Sequence, residues 1–339
     1  MAKTSAHPGL GGERYVPWEE RSGAQSVVYF TRELSSQGLI RIFEKVGSVL
    51  DGKVAVKLHT GEKNGPNIIP REWVRELMEQ KLPGGVIVET NTYYDGDLYT
   101  TSQHRETLQV NGWTFAPVDI MDEDGTCMLP VKGGKWFDEM SVGSHMTAYD
   151  SLLALTHFKG HMMGGFGGSN KNLGIGCADG RIGKAMIHTA EGSDNMWGIV
   201  EEELMERITE STKATVDFFG KKAAYINVLR NMSVDCDCAG IAAAPVVTPN
   251  IGIVASLDIL AADQAGMDLV YAMKEADRKH LVERIESRHG HRQLSYMKEL
   301  GMGNDLYRLI DIDHDDTEIT PAAAVEGVRP FGVWDEDDA

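Results

Sequence analysis

Hydrophobic positions along this chain switch repeatedly between two periods. Residues 26–31, 53–58 and 85–90 are short runs rich in β-branched residues and predict strands. Between the first two, residues 36–50 carry Leu39, Ile42, Phe43, Val46, Val49 and Leu50 at helical spacing. Residues 70–80 predict a helix with proline near its start, and residues 102–110 another, closed by Asn111-Gly112. Further strands are expected at 151–156, 223–229 and 251–256, and further helices at 197–219 and 257–274, with a charged helical region at 280–300. Alternating strands and helices predict a parallel sheet covered by helices. The expected fold class is α/β: a Rossmann-like, mostly parallel sheet with helices on both faces, plus a smaller α/β lobe. The expected divisions are a disordered or extended arm at 1–25, the main domain at 26–193, and a second lobe with an acidic tail at 194–339.

Composition narrows the function classes. A length of 339 residues with 42% hydrophobic content can build one large or two ordinary domains. The formal charge of −18 opposes a nucleic-acid partner, because phosphate repels such a surface. Residues 311–316 and 335–338 concentrate acidic groups and are expected to be solvated and mobile. No apolar run approaches the roughly 18 residues that span a bilayer. Residues 1–23 lack the apolar centre of a signal peptide, so no membrane partner and a cytoplasmic location are expected. Four cysteines, Cys127, Cys177, Cys236 and Cys238, with no C-x-x-C spacing, offer neither a disulfide scaffold nor a local iron–sulfur motif.

The chemistry gathers at 156–177, where His157, Lys159, His161 and Lys171 surround a glycine-rich loop, with His188 seventeen residues beyond Lys171. This run leaves the C-terminal end of a predicted strand, where ligands sit in open α/β sheets. His157 and His161 can chelate a metal if they share a helix face; alternatively one caps a backbone carbonyl and the other is solvated. Gly167 and Gly168 lead into Ser169-Asn170-Lys171, a candidate anion nest, or else a turn needed for close packing. Lys171 is a candidate clamp or cofactor tether. His104-Arg105 suits binding and deprotonation of a carboxylate-bearing substrate, or else belongs to a solvated helix face. Lys57 and His59 end one strand on the same face, and Asn91 follows the next, adding candidate substrate contacts. Cys236 and Cys238, within Asp-Cys-Asp-Cys, are candidate ligands for a soft or borderline metal, or a buried pair in a tight turn. His280, His289, His291 and His314 lie among charges and are expected at the surface.

The segments KLHTGE (57–62), ETNT (89–92), THFKGHMMGGFGGSNKNLGIGCA (156–178), VDCDC and IGIVASLDILAADQAGMDLV resemble a family of uncharacterised iron–sulfur centre proteins, a domain of unknown function. The resemblance covers nearly the whole chain past residue 26. Many members carry a ferredoxin-like insert after the position of His188; here only residues 189–195 stand there. A more distant resemblance is to the nickel-pincer lactate racemases. His104-Arg105, His161, Lys171 and His188 are similar to their signature in order and spacing. That resemblance implies His104 and His161 as the acid/base pair, Lys171 as the tether of a covalent pincer-type cofactor, and His188 as metal ligand. The chain departs from those enzymes after the glycine loop and near the first strand. His157, Lys159 and the Asp-Cys-Asp-Cys cluster have no counterpart there.

The expected function is that of a metal- or metallocofactor-dependent enzyme with isomerase, racemase-like or redox chemistry on a small anionic substrate. Nickel, zinc and iron are the candidate metals. The class-different alternative is a non-catalytic metal- or iron–sulfur-associated accessory protein with a redox or maturation partner.

Overall fold

The computed structural model describes residues 12–331; residues 1–11 of the expected arm and the acidic run at 335–338 lie outside them. The first part of the chain alternates β1 (Gln25–Thr31), α1 (Ser36–Val46), β2 (Val54–Lys57), α2 (Arg71–Lys81), β3 (Val86–Glu89), α3 (Thr101–Val110) and β4 (Val118–Ile120). A hairpin follows, β5 (Thr126–Pro130) and β6 (Glu139–Gly143), then β7 (Ser151–His157). The histidine-rich run forms a second hairpin, β8 (Lys159–His161) and β9 (Gly165–Gly167), which feeds α4 (Ser169–Gly176) and α5 (Gly183–His188). Next come α6 (Glu201–Phe219), β10 (Ala223–Leu229), β11 (Gly252–Ser256) and α7 (Ile259–Ala272). The chain continues through α8 (Glu275–Ser287), α9 (Arg292–Glu299), β12 (Leu306–Asp311), β13 (Thr317–Ile319) and α10 (Pro321–Ala324).

Nine strands form one sheet in the order β13-β12-β1-β11-β10-β7-β2-β3-β4. The run from β10 to β4 is parallel throughout, as is the β1–β12 pair. The mostly parallel α/β class therefore stands. β11 runs antiparallel to both neighbours. Its connection from β10, residues 230–251, holds only a short 3-10 turn, and without a crossover helix the chain returns in the opposite direction. Strands from before and after residue 194 interleave in this sheet, with β1 lying between β12 and β11.

Successive strand residues point to opposite faces, and each face carries its own core. Val54, Val56, Leu153, Leu155 and Ile226 pack under α1, α2 and α3. Ala55, Leu152, Ala154 and Tyr225 face the other way, toward α4, α6, α7 and α9. Near-continuous apolar character in β7 and β10 follows from burial on both sides.

Three expectations are corrected, for the acidic run, the charged helical region and the surface placement of His289 and His291, while the arm, expected to be disordered or extended, has an irregular described part. The described part of the N-terminal arm is docked: Arg21 pairs with buried Asp268 at 2.6 Å, and Tyr15 and Tyr307 donate to the same carboxylate at 3.0 and 2.8 Å. The acidic run at 311–316 is tied down, since Asp311 ends β12, Arg41 pairs with Asp313 and Lys45 with Asp316. The charged helical region splits into α8 and α9 where His289 takes a φ of 56°. Both His289 and His291 are buried there, His291 because Tyr15 and Tyr271 enclose it.

Candidate active site

The C-terminal ends of β10, β7, β2 and β3 share one edge of the sheet, as their parallel pairing requires. The segments that leave these ends enclose a cavity of about 410 Å³. His59 comes to it from beyond β2, Glu89 from the end of β3 and Tyr94 from the loop after it, His161 from the β8–β9 hairpin, and Cys236 and Cys238 from beyond β10. Lys171 reaches it from α4, and Lys184 and His188 from α5. Three of the four residues on which the sequence reading turned, His161, Lys171 and His188, thus share one chamber.

Two buried ion-pair systems form its walls. In the first, Lys57 donates to Glu89 at 2.7 Å, to the Leu58 carbonyl at 3.0 Å and to Asn172 Oδ1 at 3.1 Å. The other Glu89 oxygen accepts from the Thr60 amide at 2.7 Å and faces His59 Nδ1 at 3.2 Å. Burial would raise the Glu89 carboxyl, but Lys57 and His59 hold it well below the usual carboxylate range. In the second, Asp237 takes Nδ1 of His157 at 2.9 Å and Nζ of Lys159 at 3.1 Å, while His157 Nε2 donates to the Arg230 carbonyl at 2.6 Å. Asp237 is depressed in spite of burial by His157 and Lys159. Both nitrogens of His157 face oxygen acceptors, so it caps a carbonyl and is closed to a metal or a substrate.

Between these walls lies Cys238, whose thiol is held below its ordinary range. Cys238 Sγ is 3.7 Å from His59 Nε2 and 3.9 Å from Lys171 Nζ. A hydrogen bond from the Cys236 thiol is the largest influence holding Cys238 well below an ordinary thiol, with Lys171 and His59 adding to it. The proton stays on Cys236, whose own thiol is pushed up by that bond and by burial. Burial disfavours charge on His59, yet Cys238 and Glu89 outweigh it and raise the imidazole to about 10. Lys171 is likewise raised against burial by Cys238, Cys236 and Asp237. Glu89, His59 and Cys238 therefore form a carboxylate–imidazolium–thiolate chain.

Two imidazoles behave differently. His161 Nδ1 accepts from the Gly164 amide at 2.8 Å, which fixes the proton on Nε2. Burial first, then the nearby Lys171, lowers its basicity well below that of free imidazole. His188 stands at 4.8 Å edge-to-face with Trp197 and 6.5 Å from the ring of Tyr93. Burial and Lys171 lower it to about 3, and its buried Nδ1 has no hydrogen-bond partner among the described residues. Both rings are neutral at ordinary pH.

His104, Asn91 and Arg105 lie outside the chamber, whereas Gly168 lines it. His104 is fully buried behind it, with Nδ1 3.4 Å from Asn91 Oδ1, Nε2 unpartnered, and its basicity lowered to about 4 by burial. Asn91 is scaffolding: its amide bonds Thr101 and Asp122 at 3.1 and 3.2 Å. Arg105 points to solvent and pairs with Glu123 at 2.6 Å. The glycine loop is not an open anion nest. The Asp263 carboxylate already accepts from the amides of Ser169 and Asn170 at 2.6 and 2.8 Å. A Cβ at Gly168 would stand 2.6 Å from that carboxylate, so glycine here serves close packing, while Gly167 lies beside Lys159. Gly160 is equally constrained, since a Cβ there would meet the Val234 carbonyl at 2.2 Å.

Glu89, Lys184 and Asp263 were missed. Lys184 donates to Thr90 Oγ1 at 2.7 Å and to the Asn91 carbonyl, and burial lowers its amine to about 8. Its signal was available, because it precedes His188 by one helical turn on α5. The expected metal set, His188 with Cys236 and Cys238, is not assembled. Among the described residues the two groups spaced to hold an ion are Asp119–Glu123–His145 and Glu201–Glu202–His289, and neither contains a cavity residue.

Fold and site together define an α/β protein with a titratable, cysteine-bearing cavity at the C-terminal edge of its sheet. Residues 54–268 match the family described as a domain of unknown function (DUF362), and the chain belongs to that family. No curated protein matches it. Among solved structures it is similar to the lactate racemase apoprotein from Thermoanaerobacterium thermosaccharolyticum, at 12% identity and a TM-score of 0.41, over 85% of this chain and 83% of that one. It is also similar to a structural-genomics target from Thermotoga maritima, at 14% identity and a TM-score of 0.37, over 57% of this chain and 49% of that one. No helix of the described residues is long and apolar enough to cross a membrane.

Proposed function

We propose that this chain is an enzyme that binds a small anionic substrate in the cavity and moves protons on it, with isomerase- or racemase-like chemistry. The observation that carries this reading is the pairing of His161 and His188, two neutral imidazoles that line the chamber holding Lys171. Around that chamber the cations Lys57, His59, Lys159, Lys171 and Lys184 outnumber the anions Glu89, Asp237 and Cys238, which favours an anionic guest.

Each side chain has a distinct task. Lys171 and Lys184 bind the anionic group. His161, with its proton on Nε2, donates to a developing oxyanion. Among the described residues no hydrogen bond fixes the tautomer of His188, which leaves a ring nitrogen to accept a proton. An anion seated on Lys171 removes a charge that depresses both imidazoles, which raises them toward the range useful for proton transfer. His188 thereby takes the place that the sequence had given to His104.

The resemblance to nickel-pincer enzymes implies a metal and a tethered cofactor, and the donor set tests this. Cys236 keeps its proton, His161 presents N–H rather than a lone pair, and Lys171 is held as an ammonium, which must lose its proton before it can be acylated. His188, a neutral imidazole whose Nδ1 has no partner among the described residues, and Cys238 are the donors that would hold a metal, although no group of three ligands spaced for an ion includes them, and Lys171 would carry a tether only after losing its proton. No three-ligand group among the described residues includes a cysteine.

The test is solvent-proton exchange. The protein in D₂O is offered a panel of small 2-hydroxy, 2-amino and 2-oxo carboxylates, and NMR follows deuterium at C2 of the hydroxy and amino acids and at C3, beside the ketone, of the oxo acids. At least one compound exchanges, and His161→Ala or His188→Ala slows it by about 10²-fold or more. Exchange at the wild-type rate in both variants overturns the assignment.

A further inference from the structure

Acid–base chemistry leaves the two sulfurs of the cavity unused. Cys236 and Cys238 both face it, and both are free. They stand at alternate positions of one short segment, where the chain enters the 3-10 turn Asp237–Ala242, and both line the same cavity. The residue between them, Asp237, is clamped by His157 and Lys159, so the pair is presented on a fixed loop. Cations contact Cys238 on two sides, His59 at 3.7 Å and Lys171 at 3.9 Å. An attacking thiolate with an adjoining thiol and a nearby proton donor is the set that two-electron reduction of a peroxide requires.

We propose that Cys238 and Cys236 form a redox couple that reduces a small hydroperoxide in the cavity. The Cys238 thiolate attacks the outer peroxide oxygen. The O–O bond breaks, the alkoxide takes the His59 proton and leaves as an alcohol, and Cys238 becomes a sulfenic acid. Cys236 then attacks the Cys238 sulfur. The S–S bond forms, the S–O bond breaks, and hydroxide departs as water with the proton released by Cys236. The two thiols supply both electrons. A small external dithiol reopens the disulfide by two exchanges and is itself oxidised.

This inference uses the same cavity but not the proton-transfer reaction, and its measurement involves neither His161 nor His188, so either reading can fail alone. The experiment treats the full-length protein with one equivalent of tert-butyl hydroperoxide and records intact mass and a peptide map. The expected product has lost two hydrogens, carries a disulfide between Cys236 and Cys238, and returns to the starting mass with dithiothreitol. Cys236→Ser stops at a sulfenic acid that dimedone traps, and Cys238→Ser gives no oxidation at residue 236. At pH 6, Cys238 reacts about tenfold or more faster than Cys127 in the same molecule. Oxygen addition to the wild type without a reversible loss of two hydrogens overturns the proposal, as does a disulfide that maps to Cys127 or Cys177. Both of these outcomes are read on the wild type, so they stand even if a serine variant does not fold.

Discussion

His157 and His161 leave the same short stretch of chain and meet opposite surroundings. His157 turns into the wall, where Asp237 and the Arg230 carbonyl occupy both its nitrogens. His161 turns toward the chamber, and only its Nδ1 is held, by the Gly164 amide. The first arrangement spends all its hydrogen-bonding capacity on the fold; the second leaves a polarised N–H for a guest. Histidines in one glycine-rich run are therefore not interchangeable. The one whose partners run out at the cavity is the one available for chemistry.

The largest expected effect breaks the closed side. Asp237→Ala leaves the buried Lys159 and His157 without their carboxylate and is expected to cost about 3–5 kcal/mol of unfolding free energy. His161→Ala, on the open side, frees only the backbone amides of Met163 and Gly164 and is expected to cost about 1–2 kcal/mol. Urea titrations of both variants check the difference, and equal losses would erase the contrast.

A pH series sharpens it. His104 and His188 are buried and neutral, at about 4 and about 3, against an ordinary imidazole near 6.5 in the unfolded chain. Below pH 6.5 the unfolded state therefore binds more protons than the folded one, and acid favours unfolding. Each imidazole is expected to remove about 2 kcal/mol between pH 6.5 and pH 5. His188→Phe keeps a ring beside Trp197 and should lose its share of that slope. Parallel stability curves for the variant and the wild type would show that His188 is not held neutral.

The smallest effect is expected at Arg105. Its pair with Glu123 is half exposed, so Arg105→Ala should change stability by no more than about 0.5 kcal/mol and leave proton exchange unaltered. A substantial loss of exchange would return Arg105 to the site.

Periodicity read the central sheet well because β2, β3, β7 and β10 are bounded by turns and buried on both faces. It missed β12, whose sequence LYRLID runs straight into the acidic stretch that masks its strand character. It also missed the reversal of β11, which depends on how the chain crosses from β10 rather than on the strand itself. Within the site, the order and spacing of His161, Lys171 and His188 were legible. What each group does was not, because the deciding partners are distant in sequence. Asp237 lies eighty residues beyond His157, and Asp263 lies ninety-four beyond Ser169. A glycine loop looks like an anion cradle until a carboxylate from α7 is found already seated in it.

The pairing of β1 with β12 has a consequence for assembly. Gln25 registers against Leu306, so an early strand of the chain waits for one of its last before its outer side is covered. Closing so long a span is entropically expensive and slow. During synthesis the exposed edge of β1 stays open until β12 has left the ribosome. Truncation before residue 306 would leave that edge bare, a template for aggregation.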